Sequence, residues 1–237
     1  MRSVTISIAI ALGVLASTGT QSAEPKPADK VLQGIDAMRR LPEEGFHLIE
    51  AQGQLMLVST NGHFVVTGGR LIDLWNDVEV TRVADLDRTQ RLPLARMGIR
   101  AQELGGVSVG TLDAEKFATV FLDPASPETA KLLPQLRSLM TTYRLDVVFV
   151  PARAERATVS RALICDHEAA SVFLSTGAKP EPPAAGDSCG LKELERARTT
   201  VHLLGIRTLP FTVAPNGSTV AGSPDQYSKF VAENQSR

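Results

Sequence analysis

The second half of the chain alternates between strand-type and helix-type segments, and this order restricts the fold more than any other feature. Residues 117–122, FATVFL, form a strand candidate, and residues 145–151, LDVVFVP, are almost wholly apolar, as expected of a buried central strand. Helices are predicted from Pro127 to about Tyr143, near 155–175, and from Leu191 to about Leu204.

The end of the chain adds a hairpin and a last helix. LPFTVAP and STVAG flank the dipeptide Asn216-Gly217, which is typical of a tight turn between two strands. A closing helix is predicted from Pro224 to Asn234. The order β-α-β-α followed by β-β-α predicts an α/β fold in which helices cover a mixed sheet.

The first half of the chain has a different pattern. It breaks into four short apolar runs, with turn signals at Asn61-Gly62 and Gly68-Gly69; the runs are FHLIEA, LMLVS, HFVVTG and RLIDLW. This pattern predicts a small antiparallel sheet, which is too thin to be stable without a helix or a partner chain.

Two helical segments are predicted around this sheet. The segment DKVLQGIDAMRRL has apolar side chains at helical spacing, namely Val31, Leu32, Ile35 and Met38. After the sheet, residues 83–103 are mostly polar and predict a connecting helix that Pro93 interrupts. The dipeptide Gly105-Gly106 would end this connector.

The N-terminus has the features of a secretory signal peptide. Arg2 precedes the uncharged run VTISIAIALGVLA, and the small and polar residues STGTQSAEP follow. The run is shorter than the roughly 20 apolar residues that span a bilayer, although an uncleaved anchor is the alternative interpretation. We therefore expect residues 1–23 to be removed near Ala23 and the rest of the protein to be exported.

Charge and composition exclude several classes of partner. The net charge is −1 at pH 7, and neither a basic stripe nor a block of like charge occurs, so nucleic acids and anionic membrane surfaces are not expected as partners. The four histidines show no ligand-type spacing; they are His47, His63, His167 and His202. No metal and no cofactor are predicted.

The chain contains two cysteines, Cys165 and Cys189. Exported proteins are oxidised by default, so this pair favours a structural disulfide, with free buried thiols as the alternative. The spacing excludes a C-x-x-C redox pair.

Residues 45–235 resemble the periplasmic disulfide isomerases of the DsbC/DsbG type. The stretches that carry the resemblance, in order, are LMLVSTNGHFVVTGGRLIDL, FATVFLDPASPETAKLLPQL, RALICDHEAA with GDSCG, and HLLGIRTLPFTVAPNGSTVAGSPD. The resemblance implies a signal peptide (1–23), a cystatin-like N-terminal dimerisation domain (24–82), a linker helix (83–110) and a thioredoxin-like domain (111–237). It also implies that Cys165 and Cys189 are the family's structural pair and that Leu209-Pro210 is its cis-proline site.

One departure from the family bears on function. In this family a cysteine opens the first helix and a second cysteine follows three residues later, whereas this chain has Ser126 and Thr129 there, within Ser126-Pro127-Glu128-Thr129. Disulfide exchange needs a thiolate, which a hydroxyl cannot replace. Dithiol exchange is therefore not expected at this site. The residue before the cis-proline candidate is also changed, because Leu209 stands where the family usually has threonine.

Two interpretations of the substituted residues stay open. Serine is a favoured N-cap, proline fits the first helical position and an early acidic residue suits the helix dipole, so Ser126-Pro127-Glu128 can be no more than a good helix start. Alternatively, Ser126 and Thr129 lie on a retained peptide-binding face. Asp123 is interpreted either as an acidic cap or as the buried carboxylate that tunes proton transfer in redox relatives.

These observations support three hypotheses on function. The first is an exported, dimeric binding protein that holds unfolded or extended polypeptides without redox chemistry, as a chaperone or as a scaffold in a secretion or conjugation apparatus. The second is a thiol–disulfide isomerase whose exchangeable pair is Cys165–Cys189. The third is a monomeric structural component. Trp75 and Phe46 either line a dimer cleft or belong to the core.

Overall fold

The computed structural model describes residues 34–41, 45–114, 117–184 and 186–235. The predicted signal peptide, residues 1–23, lies outside the described residues, as do Val31 and Leu32.

The second half of the chain forms a mixed five-stranded sheet. Its strands are β7 (Val107–Gly110), β8 (Phe117–Leu122), β9 (Arg144–Phe149), β10 (Phe211–Val213) and β11 (Thr219–Ala221), in the spatial order β11-β10-β8-β9-β7. The strands β8 and β9 are parallel, and the other neighbours are antiparallel. The strands predicted at 117–122 and 145–151 are therefore the two central strands. Strand β7 lies within the predicted linker range and pairs with β9.

Helices cover both faces of this sheet, which confirms the predicted α/β class. Besides the short helix described with the connector below, the helices of the described chain are α2 (Pro127–Met140), α3 (Ala157–Cys165), α4 (His167–Thr176), α5 (Leu191–Leu203) and α6 (Tyr227–Glu233). One core lies on the side of α2 and α6, where leucines of α2 pack on alternate residues of β8 and β9. A second core lies on the opposite side, under α5.

A buried hydrogen bond joins the last helix to the sheet. The Tyr227 hydroxyl and the Thr212 Oγ1 lie 2.7 Å apart, and neither side chain is exposed. Burial raises the pKa of Tyr227 above its usual range.

The first half forms a separate antiparallel sheet. Its strands are β1 (Ile35–Arg40), β2 (Phe46–Ala51), β3 (Gln54–Ser59) and β4 (Val65–Val66), in sequence order, and a hairpin of β5 (Leu71–Asp73) and β6 (Val78–Val80) follows. Strands β3 and β4 flank the predicted turn at Asn61-Gly62. In this turn the Ser59 N–H donates to the Phe64 carbonyl. The Ser59 hydroxyl donates to the Asn61 side-chain oxygen and accepts from the Phe64 N–H. The predicted small sheet is therefore present.

The helix predicted from Ile35 and Met38 is wrong. These residues belong to strand β1, which pairs with β2 from Arg40↔His47 to Ile35↔Ala51 with one irregularity. The apolar residues at helical spacing do not form a buried helix face, because Met38 is 60% exposed and Ile35 is also exposed. Pairing with β2 satisfies the backbone of this segment, and tertiary context of this kind overrides local periodicity.

The connector also differs from the predicted helix. It contains a 3₁₀ turn (Val83–Asp85), the short helix α1 (Leu86–Thr89) and a second 3₁₀ turn (Ala101–Leu104), with turns and extended backbone between them. The first turn is held by Asp85, whose carboxylate accepts from the Thr81 N–H and pairs with Arg88. These interactions hold the pKa of Asp85 well below its usual range.

The connector is packed on the sheet instead of standing free. Four of its apolar side chains are buried in the core beneath α5; they are Leu92, Leu94, Ala101 and Leu104. The Leu92 N–H donates to the Gly217 carbonyl at 2.7 Å. At Gly106 the backbone lies so close to the sheet that an added Cβ would stand 2.7 Å from the carbonyl oxygens of Ala101 and Val147. Among the described residues, no helix is long and apolar enough to cross a membrane.

Candidate functional site

The candidate site lies where strand β8 ends and helix α2 begins. Ser126 has extended backbone angles, and its Oγ accepts a hydrogen bond from the Glu128 N–H at 3.2 Å, which makes it the N-cap of α2. Pro127 is the first helical residue, and Glu128 pairs with Lys131 at 2.6 Å. Ser126-Pro127-Glu128 is thus a capped helix start.

The four residues of this start differ in accessibility. Pro127 is exposed, and Ser126 and Glu128 are partly exposed. Thr129 is completely buried, and its Oγ1 has no hydrogen-bond partner among the described residues. A ligand that reaches this edge would therefore meet Ser126 and Pro127, and not the hydroxyl of Thr129.

The Leu209–Pro210 peptide bond is cis. Pro210 comes directly before β10, whose register Phe211↔Phe121 places it beside the end of β8, close to the start of α2. The Pro210 carbonyl accepts from the Gly222 N–H at 2.7 Å. The backbone N–H and carbonyl of Leu209 form no hydrogen bond with the described part of the chain. This edge thus offers a short stretch of unpaired backbone next to the helix start.

Asp123 fastens the two loops that form the edge. Its carboxylate is completely buried, accepts from the Ala125 N–H at 2.9 Å and the Ala152 N–H at 3.2 Å, and pairs with Arg156 at 3.0 Å. Ala125 leads into α2, whereas Ala152 and Arg156 follow β9. Asp123 therefore joins the two loops as a buried anchor. Its contact with the Ala125 N–H is the local cap that the sequence predicted, and its contacts with Ala152 and Arg156 are additional to it.

Replacement of Arg156 tests this anchor. The substitution Arg156→Met keeps the length of the side chain and leaves the buried Asp123 carboxylate without its counter-charge. Because an unpaired buried charge is strongly unfavourable, the free energy of unfolding should fall by about 2–3 kcal/mol, which urea denaturation would measure.

Arg153 provides a matched control three residues away. Its guanidinium lies 4.0 Å from Glu155, and both side chains are about 70% exposed. An exposed pair of this kind contributes little, so Arg153→Met should change stability by less than about 0.5 kcal/mol. Equal effects of the two substitutions would contradict the role given to Asp123.

The disulfide lies away from this edge. Cys165 and Cys189 are bonded to each other, with their Cα atoms 5.8 Å apart. Cys165 ends α3, and Cys189 comes just before α5, whose 13 residues extend for roughly 20 Å before the chain turns toward Pro210. An added Cβ at Gly190 would stand 3.1 Å from the Cys165 Sγ, so the glycine makes room for the bond.

The remaining candidate residues are dispersed. His63, His167 and His202 are exposed, and His47 is half-buried in β2. Within the described residues, no group of three or more histidine, cysteine, aspartate or glutamate side chains is placed to hold a metal ion.

The two aromatic candidates belong to different surroundings. Trp75 is partly buried against the core beneath α5, whereas Phe46 is 38% exposed at the start of β2.

Sequence analysis missed the contribution of Arg156. Its partner Asp123 is 33 residues away, and only the parallel pairing of β8 with β9 brings the loops after them together. An acidic residue directly after the first strand and a basic residue after the second were the available signals, because the carboxyl ends of parallel strands meet at one edge.

Comparison with known proteins identifies the fold. No family model matches the chain, and no curated protein matches it. Among solved structures, the catalytic domain of ScsC from Proteus mirabilis aligns with a TM-score of 0.50 and 18% identity over 63% of this chain and 99% of that one. ScsC of the same organism in a transitional conformation aligns with a TM-score of 0.50 and 16% identity over 64% of this chain and 83% of that one.

A third structure, a disulfide interchange protein from Neisseria gonorrhoeae, aligns with a TM-score of 0.48 and 20% identity over 59% of this chain and 100% of that one. The two ScsC alignments, at a TM-score of 0.50, show the fold and not the activity. The protein therefore has a thioredoxin-like domain, preceded by a small antiparallel sheet and a packed connector.

Proposed function

We propose that the protein binds unfolded or extended polypeptides in the periplasm without redox chemistry, as a chaperone or as a scaffold in an envelope assembly such as a secretion or conjugation apparatus. The observation that carries the proposal is the combination, at one edge of the thioredoxin-like domain, of backbone at Leu209 that is unbonded within the described chain with the start of α2, which Ser126 caps. The family resemblance would place the attacking cysteine at Ser126, and both cysteines of the chain are bonded elsewhere.

The edge has features suited to a peptide. An extended segment can pair with the unbonded N–H and carbonyl of Leu209, as strand addition to a sheet edge does. The Leu209 side chain is apolar and partly buried against the core, so the neighbouring surface favours apolar side chains. Such contacts hold a chain reversibly and need no covalent step.

Dimerisation through the first sheet is part of the proposal. Strand β4 has one paired side, toward β3, and together with the preceding Phe64 it forms a run of exposed apolar side chains: Phe64 is 61%, Val65 42% and Val66 54% exposed. An apolar strand at a sheet edge is a template for another strand. Two copies joined there would present two recognition edges to one client and bind it more tightly than one copy does. Sedimentation at micromolar concentration distinguishes a dimer from a monomer.

The export of the protein rests on the signal peptide predicted at residues 1–23. The Cys165–Cys189 disulfide is consistent with an oxidising compartment.

The alternative is a thiol–disulfide isomerase that uses Cys165–Cys189. It is favoured by the exposed position of Cys189. This hypothesis requires a disulfide that millimolar glutathione reduces. A bond that resists glutathione would exclude it.

Suppression of aggregation tests the binding function. The protein should slow the aggregation of a reduced, unfolded test protein, and Pro127→Arg should weaken this effect, because a long charged side chain would then project from the exposed start of α2. The matched control is Ser138→Arg, an exposed position near the other end of the same helix. No suppression by the unmodified protein at several-fold excess would contradict the chaperone function, and equal losses in both variants would place binding away from this edge.

A further inference from the structure

A second concave surface lies apart from the start of α2. A cleft of about 770 Å³ lies between the two sheets. The end of β1, the β5–β6 hairpin and α1 form one side of it, and the chain after α5 together with β10 and β11 forms the other. We call this space the inter-sheet cleft. It adjoins the cis-proline loop through Phe211 but contains none of the residues at the start of α2.

The lining of the inter-sheet cleft is mainly apolar. Leu74 is 85% exposed and Ile72 43% exposed, although Leu71 and Val80 of the same hairpin belong to or pack against a core. Trp75, Leu204 and Phe211 continue the apolar surface toward the thioredoxin-like domain. Clustered exposed apolar side chains of this kind mark interaction sites, because water is displaced from them at little cost.

Two arginines and one aspartate are among the described residues that line the cleft. Arg40 and Arg207 lie on opposite sides, and the aspartate is Asp73. The Asp73 oxygens accept from the N–H groups of Trp75 and Asn76 and from the Asn76 side chain. In the part of the chain that the structure describes, Arg40 has no carboxylate partner, whereas the adjacent Arg39 pairs with Asp87.

We propose that the inter-sheet cleft binds an extended apolar polypeptide segment that carries an acidic side chain. The apolar floor would bury leucine- or phenylalanine-type side chains, and the carboxylate of the segment would lie near Arg40. This inference rests on the proposed function, since it gives the client's chemistry, but it places recognition at a different surface from the start of α2.

Trp75 makes the proposal directly measurable. It is the single tryptophan of the chain and lines the cleft, so its fluorescence reports on occupancy without a label. The probe is a short blocked peptide of alternating leucine and valine with two aspartates. Matched peptides carry asparagine or lysine at those two positions. The aspartate peptide should shift the Trp75 emission and bind most tightly, and the lysine peptide should bind least.

Two substitutions, one of an apolar and one of a charged residue of the lining, define the site. Leu74→Ser removes the most exposed apolar contact and should weaken binding about tenfold or more. Arg40→Gln should weaken the aspartate peptide by roughly two- to fivefold while leaving the asparagine peptide unchanged. The matched controls are Leu112→Ser and Arg198→Gln, which replace exposed side chains outside the cleft and should change neither affinity.

The outcomes separate this inference from the proposed function. If peptides bind with an affinity that Pro127→Arg lowers and Leu74→Ser does not, recognition lies at the start of α2, and the cleft proposal is overturned while the proposed function stands. If the Trp75 emission depends on protein concentration without peptide, a second copy fills the cleft and the proposal is again overturned. If aggregation is suppressed but none of the three peptides binds, the cleft proposal fails alone.

Discussion

The double substitution Ser126→Cys with Thr129→Cys is expected to give the protein a thiol–disulfide exchange activity well above that of the unmodified chain. Ser126 is the N-cap of α2 and accepts the Glu128 N–H, so a thiolate in its place would be stabilised by the same donor and by the helix dipole. Thr129 is completely buried, which suits a second, protected cysteine. Positions three residues apart at a helix start are also close enough for a disulfide.

The control is a second cysteine pair at the opposite end of the same helix. Ser138→Cys with Thr141→Cys repeats the residue types and the spacing at two exposed positions. There the negative end of the helix dipole disfavours a thiolate. Reduction of a disulfide-containing test protein should therefore be at least roughly tenfold faster with the first pair than with the second.

Two outcomes of the comparison between the two cysteine pairs would contradict the prediction. Equal rates, or an ordinary thiol pKa at position 126, would mean that Ser126 does not occupy the position where the family has its attacking cysteine. The proposal of a binding protein derived from an isomerase fold would then lose its basis.

Removal of the disulfide is expected to have the largest effect on stability. The Cys165–Cys189 bond closes a loop with a sequence separation of 24. In the chain-entropy description, a loop of this length stabilises the folded state by about 3.5 kcal/mol, because the unfolded chain loses freedom. The variant Cys165→Ala with Cys189→Ala should lose most of this amount, which guanidinium unfolding would measure.

The reduced unmodified protein is the control for this variant. It lacks the same bond without any change of sequence, so its unfolding midpoint should match that of the double variant. Aggregation suppression at a temperature where both remain folded should be unchanged, because α5 separates the bond from the cis-proline loop. Loss of that activity together with the bond would instead favour the isomerase hypothesis.

The thioredoxin-like half could be predicted closely because each of its elements has a local signal. The almost wholly apolar run before Val150 is buried on both faces of the sheet, and Pro127 after Ser126 marks the helix start that the structure has. In each case the residues that determine the element lie within it, so periodicity and capping are sufficient to identify it.

The errors lie where long-range contacts decide the structure. Ile35 and Met38 have helical spacing, but pairing with β2 makes their segment a strand. In the connector, the burial of Leu92 and Leu94 against the sheet replaced the predicted helix with short turns. The Asp123–Arg156 pair depends on which strands are neighbours. Each of these contacts joins residues that are far apart in the sequence, so the local sequence pattern does not predict it.

The packed connector has a mechanical consequence. A connecting helix that did not pack on the sheet would let the thioredoxin-like domain move relative to the first sheet. In a dimer, the distance between the two recognition edges could then adjust to clients of many sizes. With Gly106 packed against the backbone of β9 and Leu92 bonded to Gly217, the connector is instead attached to the thioredoxin-like domain, and we expect the first sheet to be held at a fixed position by it. A dimer joined through the first sheet would hold its two recognition edges at a fixed distance. It would therefore select clients by the distance between the two segments that it binds.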